Sequence, residues 1–294
     1  MAADDSVKYL SANGQDAKWG TTVSTVGHQR IKPHSPYPSS NHPFNYSFTP
    51  DNGRILADEY QLIYIHEGQG SFVSAHKEPT RIHGGQMMIL FPGEWHSYCP
   101  DIRTGWHEYW IGFSGSHIDS LLGAGFFALD EPVVTTGFSC EIVMLYEQAL
   151  RIAQNQSIGS QQILSGIVHM LLGYAYSRSR SAGIVNVGAT RQINKAKDII
   201  MDNYKTDLSP ADVAAMVNMS YSWFRKMFKA YTGMSPLQYK ENLRIQRSKD
   251  LLANTDKTSQ EIAFEVGFNT PYHFCIIFRR HTGYSPLDFR RMFR

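Results

Sequence analysis

The last hundred or so residues of the chain carry one helical pattern twice, and this duplication restricts the possible folds more than any other feature. Leu208 to Pro236 (LSPADVAAMVNMSYSWFRKMFKAYTGMSP) lies over Lys257 to Pro286 (KTSQEIAFEVGFNTPYHFCIIFRRHTGYSP). Val213, Ala214 and Val217 match Ile262, Ala263 and Val266 at a shift of 49, whereas Phe224, Phe228, Gly233, Ser235 and Pro236 match Phe274, Phe278, Gly283, Ser285 and Pro286 at 50. The extra residue falls at a turn. Each copy is therefore predicted to be a short helix, a tight turn and a second helix. Ser209 with Pro210 starts the first copy, and Ser259 or Thr258 starts the second. Asn218 and Gly267 end the first helix of each copy, and Ser220 and Thr270 can cap the next. Two helices joined in this way form a helix-turn-helix.

In each second helix the aromatics four apart anchor one face in a core, leaving the opposite face free to enter a groove of double-stranded DNA. That face offers Tyr221, Ser222, Arg225, Lys226 and Lys229 in the first copy, and Thr270, Tyr272, His273, Cys275, Ile276, Arg279 and Arg280 in the second. Arg reads guanine edges, while hydroxyls reach bases or phosphate. Charge agrees with this assignment. Residues 191–294 hold 17 Lys and Arg against 10 Asp and Glu, whereas the preceding residues hold 11 against 16, so the basic charge lies at one end. An all-helical domain with merely solvated faces would need neither the duplication nor this asymmetry.

The front of the chain has a different rhythm. Residues 1–50 are rich in Ser, Pro, Asn, His and Gly and read as an extended arm without a core of its own. From 51 to 178 a second domain is expected. It opens with short apolar runs (YQLIYIHEG, GSFVSAH, QMMILF, HEYWIGF) separated by glycine and proline turns, as in an antiparallel β-barrel or sandwich. Two amphipathic helices follow, with Ile142, Leu145, Tyr146 and Ala149 on one stripe and Ile163, Leu164, Ile167, Met170, Leu171 and Tyr174 on another. The second stripe either covers the barrel or forms a helix-helix dimer seam. Residues 179–190 read as a linker to the 191–294 helical domain. The fold class is thus α+β, a strand-rich front with helices and an all-α double helix-turn-helix behind.

The second copy resembles the AraC family of bacterial transcription activators in Ile262-Ala263, Gly267-Phe268, Tyr272, Phe274, Phe278, Gly283-Tyr284-Ser285-Pro286 and Phe289-Arg290. The resemblance spans about Gln192 to Arg294 and implies a seven-helix module whose two units, joined by a long helix near Leu237 to Leu252, reach successive major grooves. One departure is Cys275-Ile276, where the family usually has a polar residue and then Arg. The second unit then either reads thymine methyls through Ile276 or mainly holds position through Arg279 and Arg280, and Arg225 and Lys226 carry most specificity.

The front resembles, less specifically, the cupin-type sensor barrel of the same family, through PGEWHSY (Pro92 to Tyr98) and GWHEYWIGF (Gly105 to Phe113). By that resemblance a pocket holds Tyr98, His96, Glu108 and Trp110, with Arg54 nearby and His42 (with Pro43) reaching in from the arm. A monosaccharide fits such chemistry: Arg54 and Glu108 bind hydroxyls and Trp110 stacks on a ring face. Trp110 and Tyr98 serve equally well as barrel core. The resemblance further implies a homodimer, a sugar or sugar-like effector that switches promoter half-site occupancy, activation, and contact with RNA polymerase.

Other classes find little support. A cupin can be a metalloenzyme, and His83, His96 and Glu108 are the residues to converge in that case, but no His-x-His pair announces such a site. There is no phosphate-binding loop and no nucleophile elbow; Gly112-Phe113-Ser114-Gly115 has the wrong spacing. Neither enzyme activity nor a cofactor is expected. A constitutive DNA-binding dimer without effector is the third reading. Cys99, Cys140 and Cys275 have neither disulfide nor metal spacing. With no cationic start before an apolar run and no membrane-length apolar stretch, a cytoplasmic chain without membrane contact is expected.

Overall fold

The computed structural model describes residues 6–38, 48–181 and 187–293. The chain divides into two compact units, residues 1–184 and 185–294. The first contains, in order, β1 (Ser6–Tyr9), α1 (Gly14–Ala17), β2 (Thr22–Ile31), β3 (Arg54–Ile55), β4 (Tyr60–Ser74), β5 (Lys77–His83), β6 (Gln86–Leu90), β7 (Trp95–Pro100), β8 (Trp106–Ser114), α2 (Ser116–Gly123), β9 (Val133–Thr135), α3 (Cys140–Asn155) and α4 (Ser160–Ser181).

All pairings are antiparallel, and β4 organises them. Its first half, Tyr60 to Ile65, pairs with β8 on one side and β6 on the other, whereas Gln69 to Ser74 pair with β5 and β7. The change of partner falls at a bulge between Ile65 and Glu67. Gly68 follows at φ 90°, and a Cβ there would lie 2.3 Å from the Gly105 carbonyl oxygen, so only glycine permits this bend. One strand therefore joins two sheets. The path β1-β2-β8-β4-β6-β9 ends without returning to its start, so among the described residues the strands do not close into the barrel expected from the sequence.

Side chains of this sheet alternate between two cores. Leu62, Tyr64, Met87, Ile89, Tyr109, Ile111 and Phe113 pack with Ile142, Tyr146, Leu164, Ile167 and Leu171 of α3 and α4, while Ile63, Ile65, Met88, Leu90 and Trp106 face the interior with Phe72, Ile82 and Tyr98. Burial on both faces explains why these segments read as continuous apolar runs. On α4, Ile163 and Met170 face outward together with Gly166 and Gly173, so only part of its apolar stripe covers the sheet.

Two sequence expectations change here. Within residues 1–50, Thr22–Ile31 is not an arm; it forms a ten-residue strand hydrogen-bonded along β8, with Val23 and Val26 in the core. Its apolar content is thin because Gly27 and Gln29 occupy inward positions. The expected linker is also partly helical, since α4 continues to Ser181 and the next helix begins at Val187.

The second unit contains α5 (Val187–Asp202), α6 (Pro210–Met216), α7 (Tyr221–Thr232), α8 (Pro236–Asn254), α9 (Ser259–Glu265), α10 (Pro271–Thr282) and α11 (Pro286–Phe293). Ser209 and Thr258 each form a capping box, with Asp212 and Glu261 respectively, so Thr258 is the cap of the second copy. Asn218 (φ 54°) and Gly267 (φ 94°) make the left-handed turns that the repeat alignment assigns them. The duplication extends to packing, since the ring centroids of Phe224–Phe228, Phe228–Tyr239, Phe274–Phe278 and Phe278–Phe289 all stand 5.4 Å apart.

Candidate ligand cavity and nucleic-acid interface

Inward positions of β3, β4, β7 and β8, together with Tyr9, Tyr37, Pro38 and Phe48, enclose a cavity of about 400 Å³ including its open mouth. Arg54, Gln61, Ile63, Tyr98, Glu108 and Trp110 complete its lining. The Arg54 guanidinium donates from Nη2 to Gln61 Oε1 (2.9 Å) and to the Tyr98 hydroxyl (2.9 Å), and from Nε to His96 Nε2 (3.2 Å). Its carbon lies 4.8 Å from the centroid of the Phe48 ring. Gln61 in turn donates to Glu59 (2.7 Å), and the Tyr37 hydroxyl donates to the Glu108 carboxylate (3.3 Å).

Because His96 Nε2 accepts from Arg54, its Nδ1 carries the proton and donates to the Glu94 carbonyl (3.0 Å). Burial, and then the Arg54 charge, bring this imidazole down to about 4, so it is neutral at physiological pH. Burial pushes the Tyr98 hydroxyl up to about 12, and burial with the Glu108 charge raises Tyr37 well above the usual tyrosine range. Both tyrosines remain protonated donors. The cavity thus offers a cation, a carboxylate, an amide and phenolic hydroxyls beside the flat faces of Trp110 and Phe48.

Of the expected ligand residues, Arg54, Tyr98, Glu108 and Trp110 line the cavity, while His96 stands behind Arg54 and orients it. His42 and Pro43 lie outside the described residues. Gln61, Tyr9, Tyr37 and Phe48 were not anticipated. Gln61 was detectable: it shares the inward parity of Ile63 and Ile65 in an otherwise apolar run. Among the described residues no group of three or more His, Cys, Asp or Glu is placed to hold a metal ion. His83, His96 and Glu108 are accordingly not assembled as ligands.

In the second unit the eleven expected DNA contacts, Tyr221, Ser222, Arg225, Lys226, Lys229, Thr270, Tyr272, His273, Ile276, Arg279 and Arg280, are all exposed. They lie on α7 and α10 or, for Thr270, at the N-cap of α10. Trp223, 44% exposed on α7, joins this face and was missed. Arg225 lies over the Tyr221 ring at 5.6 Å. Arg280 is bound by Glu241 of α8 at 2.9 Å. Thr270 accepts from the His273 amide as a cap.

Several other cations are structural. Lys240 Nζ donates to the Leu208 carbonyl (2.9 Å) and Arg290 Nη2 to that of Lys257 (2.5 Å). The two pairs are equivalent under the repeat, each fastening the residue before a helix cap. Arg244 donates to the Tyr204 carbonyl (2.6 Å). The excess of basic residues thus overstates what the exposed faces of α7 and α10 carry.

Residues 37–172 match the family model for the AraC-like ligand binding domain, and residues 190–292 match that for a helix-turn-helix domain. The raffinose operon transcriptional regulatory protein of Pediococcus pentosaceus is 29% identical over 253 residues, covering 84% of this chain and 89% of that protein. The Msm operon regulatory protein of Streptococcus mutans is 27% identical over 255 residues, covering 84% and 87%. The lactose operon transcription activator of Staphylococcus xylosus is 27% identical over 241 residues, covering 79% and 84%. A walled polar cavity in a ligand-binding unit, followed by a duplicated helix-turn-helix, defines a ligand-responsive DNA-binding transcription regulator, and these relatives are named as operon regulators. The chain belongs to the AraC family.

Proposed function

We propose that the chain is a sugar-responsive transcription activator that acts as a homodimer on promoter half-sites. The observation carrying the effector reading is the convergence of Arg54, Gln61, Tyr98, Glu108 and Trp110 on one cavity. Such a site provides directional partners for hydroxyls and a ring on which a sugar's C–H face can stack. Glu108 lines the cavity and Glu59 is joined to it through Gln61, so carboxylates outnumber the single cation Arg54, which favours a neutral saccharide over a uronate. Two of the relatives, regulators of raffinose and lactose operons, support the same class, and one of them is called an activator.

The exposed faces of α7 and α10 are the proposed DNA contacts, with Arg225 and Lys226 reading bases and Arg279 holding phosphate. The outward stripe Ile163, Gly166, Met170 and Gly173 of α4 is the proposed dimer seam. Ligand binding shifts which half-sites the dimer occupies through differential affinity for its two arrangements, and activation proceeds through contact with RNA polymerase. No helix among the described residues is long and apolar enough to cross a membrane, in keeping with a cytoplasmic regulator.

The effector reading is tested by thermal-shift titration of the full chain with raffinose, lactose, galactose, glucose and a uronate, because a ligand of the folded state raises its melting temperature. A saturable shift with a neutral sugar, lost in Arg54→Ala and Glu108→Ala, is the expected result. A response to the uronate alone, or to no sugar, overturns it.

A further inference from the structure

Gly27 sits in the middle of β2, where glycine weakens a strand and needs a reason. Its backbone supplies none, since Gly27 is absent from the positive-φ glycines of the chain. Space supplies one. A Cβ built on Gly27 would lie 2.1 Å from Cζ2, 2.5 Å from Cε2 and 2.6 Å from Cη2 of Trp110, the residue directly opposite on β8. The six-membered ring of the indole therefore occupies the volume a side chain at 27 would fill. On its other flank Trp110 is opposite Ile63 of β4, itself a lining residue of the cavity.

The inward row across three strands is thus Gly27, Trp110 and Ile63. A large indole lies over the residue with no side chain, leaving space beside Ile63 open. We propose that Gly27 is a specificity-determining residue: it seats Trp110 against β2 and so sets the cavity width that admits a neutral saccharide ring. Any side chain at 27 turns the indole toward Ile63 and narrows the cavity. The effect acts through Trp110, so Gly27 is a positioning residue and touches no ligand itself. The inference rests on the sugar reading for its ligand, but not for its geometry.

Two readouts keep these apart. The first is the environment of Trp110, obtained in the full chain as the difference in fluorescence emission and acrylamide quenching between each protein and its Trp110→Phe counterpart. Gly27→Ala and Gly27→Val are expected to change that difference in order of side-chain size, with no sugar present. An unchanged difference in both overturns the proposal whatever the effector is. The second is affinity for whichever of raffinose, lactose or galactose shifts the wild-type chain. Gly27→Val is expected to weaken it about tenfold or more, and Gly27→Ala less.

In the Trp110→Ala background the same substitutions are expected to have little further effect, because the residue through which they act is gone. Additive losses there overturn the positioning role. If the wild-type chain binds none of the three sugars, the sugar reading and the saccharide part of this proposal fall together, while the fluorescence difference still decides whether Gly27 seats Trp110. Melting curves of each variant identify any that fail to fold, and Gly27→Ala is the milder case.

Discussion

At the scale of single residues, the cavity places its ionisable groups so that neighbours fix their protonation. His96 is held near 4 by burial and by Arg54, against an ordinary value of 6.5. A histidine depressed in the folded state stabilises it fully above pH 6.5. As pH falls from about 6.5 to about 4 the unfolded chain gains the proton first and stability drops, with nothing further lost from this group below that window. The expected loss is on the order of 3 kcal/mol. Melting temperatures across the window should fall less steeply in His96→Gln than in wild type, with His107, also held near 4, supplying the remaining slope. Parallel profiles would contradict this assignment. The proposed DNA contacts divide similarly by chemistry. Arg225→Ala should cost about 1 to 3 kcal/mol on the preferred site and relax specificity there, whereas Arg279→Ala should weaken all sequences alike and lower the salt slope by about one unit. Equilibrium binding to specific and random duplexes at several salt concentrations separates the two, and identical behaviour would refute the division.

At the scale of elements, the turns and caps of the repeat determine where each helix starts. Gly267 has φ 94°, and its added Cβ would lie 2.3 Å from the Lys205 carbonyl oxygen, which is backbone and cannot yield cheaply. Gly267→Ala should cost about 2 kcal/mol or more, lowering the melting temperature of the helical unit by about 10 °C, as read by calorimetry. The equivalent Asn218, at φ 54°, tolerates the left-handed region, so Asn218→Gly should be nearly neutral. These features were legible in the sequence because caps, turns and aromatic spacing act within a few residues of each other. The sensor unit was legible only in part. Runs such as QMMIL and YQLIYI revealed strands, and parity would have revealed Gln61. Tyr9, Tyr37 and Phe48 reach the cavity through pairings and packing far apart in the chain, which no local pattern announces. Thr22–Ile31 escaped notice for the same reason: Gly27 weakens the local strand signal, and its purpose appears only when β8 brings Trp110 beside it.

At the scale of the whole molecule, the two units divide charge as well as structure, with the acidic excess around the sensor and the basic excess around the helical repeats. Non-specific attraction to DNA should therefore reside in residues 185–294. If the outward stripe of α4 forms the dimer seam, Ile163→Arg combined with Met170→Arg should convert the chain to folded monomers in sedimentation experiments, since both side chains are exposed within one chain. A dimer that survives the pair of charges would place the seam elsewhere. Within the sensor, β4 presents Gln61 and Ile63 to the cavity and Leu62 and Tyr64 to the helices, and the Tyr146 hydroxyl of α3 donates to the Leu62 carbonyl at 2.9 Å. Ligand and helix layer are thus served by alternate residues of one strand. Over evolutionary time such a strand can change its effector only by point replacement at the odd positions, because inserting or deleting a single residue would exchange the two sets wholesale. Descendants that recognise different sugars should therefore diverge at residues 61 and 63 while Leu62 and Tyr64 stay apolar.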